Sequence, residues 1–258
     1  MIKHITILGA GNVATHLTLG LHDAGFTITE IFSPSEEKSS LLAGKVKSKV
    51  CKRIEELSPN SDLYLLCIPD RFIGEVSMQI PRTNGIVAHT SGITPMNSIK
   101  RHKNIGVFYP LQTFSAKRDI ALDKVPFCIE ASSATICSEL KQTALQLGSN
   151  VKEVDTGQRQ LLHLAAVFVN NFVNFLYTSG AEILRKKNLP FDFLLPLIEE
   201  TARKITEIEP YEAQTGPARR NDITTMEIHK KMLDENAELK DLYDKISNLI
   251  INKYNEQL

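Results

Sequence analysis

The sequence lacks the features that mark several common classes of protein. It has only four cysteines, Cys51, Cys67, Cys128 and Cys137, and none forms a Cys-x-x-Cys pair. That spacing argues against a zinc site, and the density is too low for a disulfide framework. Reduced, mostly buried thiols in a cytoplasmic protein are the expectation. Net charge is absent too, because 30 lysines and arginines balance 30 aspartates and glutamates. A balanced chain exerts no overall pull on a phosphate backbone, so nucleic acid is not expected as a partner. No apolar stretch approaches the roughly 18 residues of a membrane span, and no membrane partner is expected. The apolar run at residues 5–8 breaks at once into glycine, unlike a signal peptide. No spaced cluster of histidine, cysteine and carboxylate suggests a metal.

What remains is a chain of 258 residues, 42% hydrophobic, long enough for one to two domains with a sizeable core. Short apolar runs at residues 5–8, 27–32, 63–68, 85–89, 105–108, 126–129 and 151–154 read as strands, with a shorter one near Val50. Amphipathic segments lie between them, at 13–24 ending in Gly25 and at 134–147 ending in Gly148. Strands alternating with helices predict an α/β protein with a parallel, doubly wound Rossmann sheet. After residue 155 no convincing strand follows. Residues 156–187 and 191–207 read as helices, 209–222 as a loop, and 223–254 as helical and charged. The chain is therefore expected to divide into a dinucleotide-binding domain, 1–154, and an all-α domain, 155–258.

Gly9-Ala10-Gly11-Asn12-Val13-Ala14 fits the pattern GxGxxG/A between a predicted strand and a predicted helix. Gly9 permits a tight turn, a side chain at Gly11 would meet a pyrophosphate, and Ala14 lets helix and strand pack closely. Asn12 and Val13 open the helix, whose free N–H groups face the anion. The bland alternative is a glycine turn with no ligand. The end of the second strand, Ile31-Phe32-Ser33-Pro34-Ser35, has no carboxylate to hold the ribose hydroxyls of NAD. Ser33, Ser35 and Lys38 suit the 2′-phosphate of NADP, although the arginine common there is missing; the serines could equally cap the next helix. NADP is expected over NAD.

Other candidates sit where strands end. Ile68-Pro69, His89 and Ser91, and Tyr109 to Phe114 with Gln112 at its centre, would line the crevice on the nicotinamide and substrate side, unless they are ordinary turn residues. The segment 161–176 is apolar almost all round and reads as a buried helix. His163, Asn170 and Asn174 share one of its faces at about 100° per residue. Burying them unpaired costs on the order of 1–3 kcal/mol each, which makes sense if they face a polar ligand. Arg219 and Arg220, in a Gly-Pro loop, could close on an anionic group or stay solvated.

The stretches GAGNVA, CIPD, HTSG, PLQTF, HLAAVFVNN and TGPARRND, spread over nearly the whole chain, resemble a bacterial family of Rossmann-like proteins described as NADP oxidoreductases. More broadly the chain resembles the two-domain group of 6-phosphogluconate dehydrogenase, ketopantoate reductase and pyrroline-5-carboxylate reductase. The resemblance implies a helical substrate domain that forms a homodimer, and hydride transfer between nicotinamide and a small carbonyl or imine compound. In the 6-phosphogluconate and β-hydroxyacid dehydrogenases a lysine precedes, by four residues, an asparagine that matches Asn170. The lysine position falls on Ala166, and His163 matches a histidine three residues before it. His163 would then supply the proton and Asn170 orient the substrate. The missing lysine motivates a different reading, a protein that senses or carries NADP without turnover.

Overall fold

The computed structural model describes residues 1–115, 118–148 and 150–255. Its first part runs β1 (His4–Leu8), α1 (Asn12–Asp23), β2 (Thr27–Phe32), α2 (Glu36–Val46), β3 (Lys49–Cys51), β4 (Leu63–Leu66), α3 (Ile73–Gln79), β5 (Ile86–His89), β6 (Ile105–Pro110), β7 (Phe127–Ala131), α4 (Ala134–Gln146) and β8 (Val151–Glu153). The strands form one sheet in the order β3-β2-β1-β4-β5-β6-β7-β8. Strands β1, β4 and β5 are buried almost end to end, as expected of parallel strands covered on both faces. On one side Ala14, Leu17 and Leu21 of α1 join Ile5, Ile7 and Leu65 in the main core. On the other, Leu8, Tyr64, Leu66 and Ile73 form a second.

The sheet departs from the expected all-parallel arrangement at one place. Strand β7 runs antiparallel to β6, pairing Phe108 with Ile129. A parallel partner needs a crossover helix, and the described residues between these two strands hold only a single 3₁₀ turn, Leu122–Lys124. Helix α3 has no counterpart among the sequence expectations, because its seven residues are too few to show a period.

After β8 the chain is helical: α5 (Thr156–Ala166), a π-helical turn (Val167–Phe172), α6 (Val173–Arg185), α7 (Leu195–Lys204), the single turn α8 (Pro210–Ala213), α9 (Ile223–Met232) and α10 (Ala237–Asn255). The stretch expected to be helical, 223–254, holds two helices, and the Asn236 side chain accepts from Leu239 N–H, 3.0 Å, to cap α10. The chain forms two compact units, Met1–Asn171 and Phe172–Leu258. Composition changes where the strands stop, near 154. The units instead part inside the π-turn, because α5 packs with the sheet.

Two expectations about the long helical run need correction. It is not buried: Leu161, Val169 and Phe175 are 69, 73 and 58% exposed. Apolar residues all round a helix mark surface to be covered, and one chain leaves much of it open. Nor is the run too short or too polar to resemble a membrane span. Thr156–Arg185 contains an 18-residue window of mean hydropathy 1.3, long and apolar enough by length and composition alone. Its polar residues are spaced so that no unbroken apolar stretch reveals this.

Candidate functional site

The strand order reverses between β1 and β4, so a crevice opens at their carboxyl ends. Gly9 follows β1 with φ +124°, and a Cβ there would lie 2.2 Å from the Cys67 carbonyl oxygen after β4. Only glycine fits a turn pressed this closely to the neighbouring strand. Ala14, fully buried, lets α1 pack onto the sheet. Gly11 differs from Gly9: a Cβ built there meets nothing within 4 Å. It occupies the N-cap position of α1 with no side-chain cap. By contrast, α2, α4, α5 and α9 are capped by Ser35, Ser133, Asp155 and Asp222. The first-turn N–H groups of α1, from Asn12 and Val13 onward, thus have no capping side chain, and the space beside Gly11 is open. That is what a pyrophosphate requires.

The other expected cofactor residues are placed as follows. Ile68 and Pro69 continue from β4 at the lip of the crevice. The Ser33 hydroxyl accepts from Ser35 N–H, 3.3 Å, and that of Ser35 from Lys38 N–H, 3.4 Å, so both serines also shape the start of α2. The Ser91 hydroxyl donates to Thr94 Oγ1 at 2.9 Å and accepts from the N–H groups of Ile93 and Thr94. This buried hydroxyl is engaged within its own turn. The Asn12 side chain donates to the Phe114 carbonyl, 3.1 Å, so the segment after β6 lies against the glycine loop.

That segment leads into a cleft. Tyr109, Leu111, Gln112 and Thr113 form one wall, and α5 with the π-turn forms the other, enclosing about 470 Å³. Tyr109 Oη lies 3.1 Å from His163 Nδ1. Burial, the largest cause, pushes the Tyr109 phenol up to about 12, so it keeps its proton. Gly92 packs against both rings: a Cβ there would lie 2.5 Å from His163 Nδ1 and 2.9 Å from Tyr109 Cζ. The Gly92 turn is held from beneath. Arg159, wholly buried, donates through one terminal nitrogen to the Ser91 and Gly92 carbonyls, 3.0 Å each, and through the other to Glu130, 2.9 Å. His89, also buried, accepts from Ser91 N–H at Nδ1, 3.2 Å. Burial first, and then the Arg159 charge, push its imidazole down to about 4. It is a neutral structural group.

The cleft takes in His163, Asn170 and Gln112 but not all of the expected stripe. A π-turn winds more slowly than an α-helix. Asn171 thereby joins Asn170 in the lining, whereas Asn174 lies beyond it on α6. Asn170 and Asn171 are exposed, so the argument from the cost of burying their amides does not apply to this chain alone. Arg219 and Arg220 lie in the second unit, where the Arg219 guanidinium stacks over the Tyr254 ring, 4.5 Å from its centroid. Ala166 lines the cleft and no lysine replaces it there.

Known proteins share this fold. Residues 4–92 match a model described as NADP oxidoreductase coenzyme F420-dependent, and residues 125–250 match a domain of unknown function. A crystal structure described as a "putative NADP oxidoreductase" from Bacteroides fragilis is 41% identical, with 97% of this chain and 98% of that one covered and a TM-score of 0.92. The chain belongs to that protein's family. More distant members of the fold include a reductive aminase from Aspergillus terreus in complex with NADPH, 16% identical over 98% of this chain and 95% of that one, TM-score 0.70. A pyrroline carboxylate reductase from Plasmodium falciparum with NADP bound is 13% identical over 98% and 97%, TM-score 0.63. No curated protein matches the chain. Within the family's shared fold, sequence reasoning missed Tyr109 as a partner of His163 and the Arg159–Glu130 support. Arg159 could have been suspected from its place in an otherwise uncharged stretch of α5.

Proposed function

We propose that this chain is an NADP-dependent reductase acting on a small carbonyl or imine compound. The observation that carries this reading is the uncapped start of α1 behind an open Gly11. NADPH, when bound, supplies the hydride. The chain's own part is to grip the diphosphate through the N–H groups after Gly11 and to provide a proton. Were the protonated Tyr109 phenol to donate to Nδ1, His163 would carry its proton on Nε2, free for the substrate. Asn170 and Gln112 line the same space and orient a polar substrate. The Tyr109–His163 pair stands in for the lysine that Ala166 replaces, which favours catalysis over an NADP sensor.

The protein is further proposed to work in the cytoplasm as a homodimer through its helical part. The exposed Leu161, Leu164 and Val169 support this, because an apolar surface of that kind marks an interaction site. Arg159, buried in the sheet unit on the same helix, speaks against a membrane span. Thermal-shift titration should show NADPH stabilising the protein more than NADH does. His163→Ala should lower turnover by about 10²- to 10⁴-fold on a small imine or carbonyl panel while leaving NADPH affinity unchanged. Undiminished turnover in that variant removes His163 from the mechanism. Binding without any turnover in the wild type turns the reading toward the sensor.

A further inference from the structure

The tip of β2 has neither the carboxylate that selects NAD nor the arginine that commonly selects NADP; Pro34 follows Ser33 directly. The sheet supplies a cation from elsewhere. Strand β3 lies parallel to β2, with Cys51 beside Phe32. The next residues, Lys52 and Ser33, leave the two strands from this last register pair, although 19 positions separate them in the chain. Its side chain turns toward the tip, where Nζ lies 2.9 Å from Glu36 Oε1 in the first turn of α2. Arg53 is committed elsewhere, its guanidinium held by Glu56 through both Nε and a terminal nitrogen. Lys38 stands on α2 itself, and Lys52 is the cation that an ion pair already holds at the tip and that can be shared with an incoming ligand. It is 71% exposed, so turning from Glu36 breaks no packing.

We propose that Lys52 is the residue that selects a 2′-phosphorylated adenosine, bridging Glu36 and the 2′-phosphate from the neighbouring strand. This rests on the NADP reading above. The pairing with Glu36 has a purpose in it. Acidic residues open α2, Glu36 and Glu37, and without a cation between them a dianionic phosphate at the β2 tip would be repelled. With Lys52 the same carboxylate holds the ammonium in place. Ser33 and Ser35 add hydroxyl contacts that either nucleotide can use, and the charge of Lys52 distinguishes the two.

The test is calorimetric titration of the full chain with NADPH and with NADH, for the wild type, Lys52→Ala and Lys52→Arg. Lys52→Ala is expected to weaken NADPH binding by about tenfold or more, the scale of one charge-assisted contact, and to leave NADH binding within about twofold. Lys52→Arg keeps the preference. An unchanged NADPH-to-NADH ratio in Lys52→Ala, an equal loss for both nucleotides, or a Lys52→Arg variant as impaired as Lys52→Ala overturns the proposal while the NADP reading stands. A wild type with no preference for NADPH removes the NADP reading itself, and this proposal with it.

Discussion

The sheet and the helical run that follows it are both rich in leucine, valine and phenylalanine, yet Leu65 in β4 is wholly buried and Leu164 in α5 is 53% exposed. The difference teaches what an apolar sequence means. It promises that something will exclude water, without saying whether that is the same chain. Helix α5 contains both cases within two turns. Its foot is anchored in the sheet unit through Arg159 and capped by Asp155, whereas its later turns are open.

The comparison is broken most forcefully at that anchor. Arg159→Met leaves Glu130, its side chain 14% exposed, with an uncompensated charge, Thr156 then being its remaining side-chain partner at 2.6 Å. The expected loss of stability is about 3–5 kcal/mol in urea unfolding. A loss below about 1 kcal/mol would mean that Glu130 reaches water and that the foot is no more buried than the rest of the helix. Next comes a matched pair. Leu65→Ala should cost about 2–5 kcal/mol at any protein concentration. Leu164→Ala should cost less than about 0.5 kcal/mol in dilute protein, with a larger cost appearing only as concentration rises and copies associate. Equal costs at every concentration would erase the contrast between core and interface.

A graded effect is the pH dependence of the buried side. His89 is held near 4 in the folded chain, against an ordinary value near 6.5. Between those values the unfolded chain takes up a proton that the folded one refuses. Stability is therefore full above about pH 6.5 and falls with acid, by about 2 kcal/mol at pH 5. His89→Asn should flatten that slope in urea midpoints taken from pH 7 to pH 5. An unchanged slope would assign it to other groups.

Legibility in the sequence followed the range of the interactions. The β1–loop–α1–β2 unit is plain in the sequence because its demands are local: Gly9 needs its positive φ, Gly11 its clearance and Ala14 its small volume. The direction of β7 is not, since apolar periodicity does not encode which way a strand runs. The Tyr109–His163 pair joins residues 54 positions apart, and neither neighbourhood signals the other. The face containing Asn174 exists only at α-helical spacing, which the π-turn after Ala166 interrupts. Lys52 is hidden in the same way, because only the β2–β3 pairing and its contact with Glu36 place it near the tip of β2.

The hydrogen at Gly92 has a consequence of its own. It lets the imidazole of His163 fit between the turn at residue 92 and the hydroxyl of Tyr109. Any side chain at residue 92 would displace that ring from the phenol. An added methyl at that glycine would rewire the proton path without altering either of the side chains that carry it.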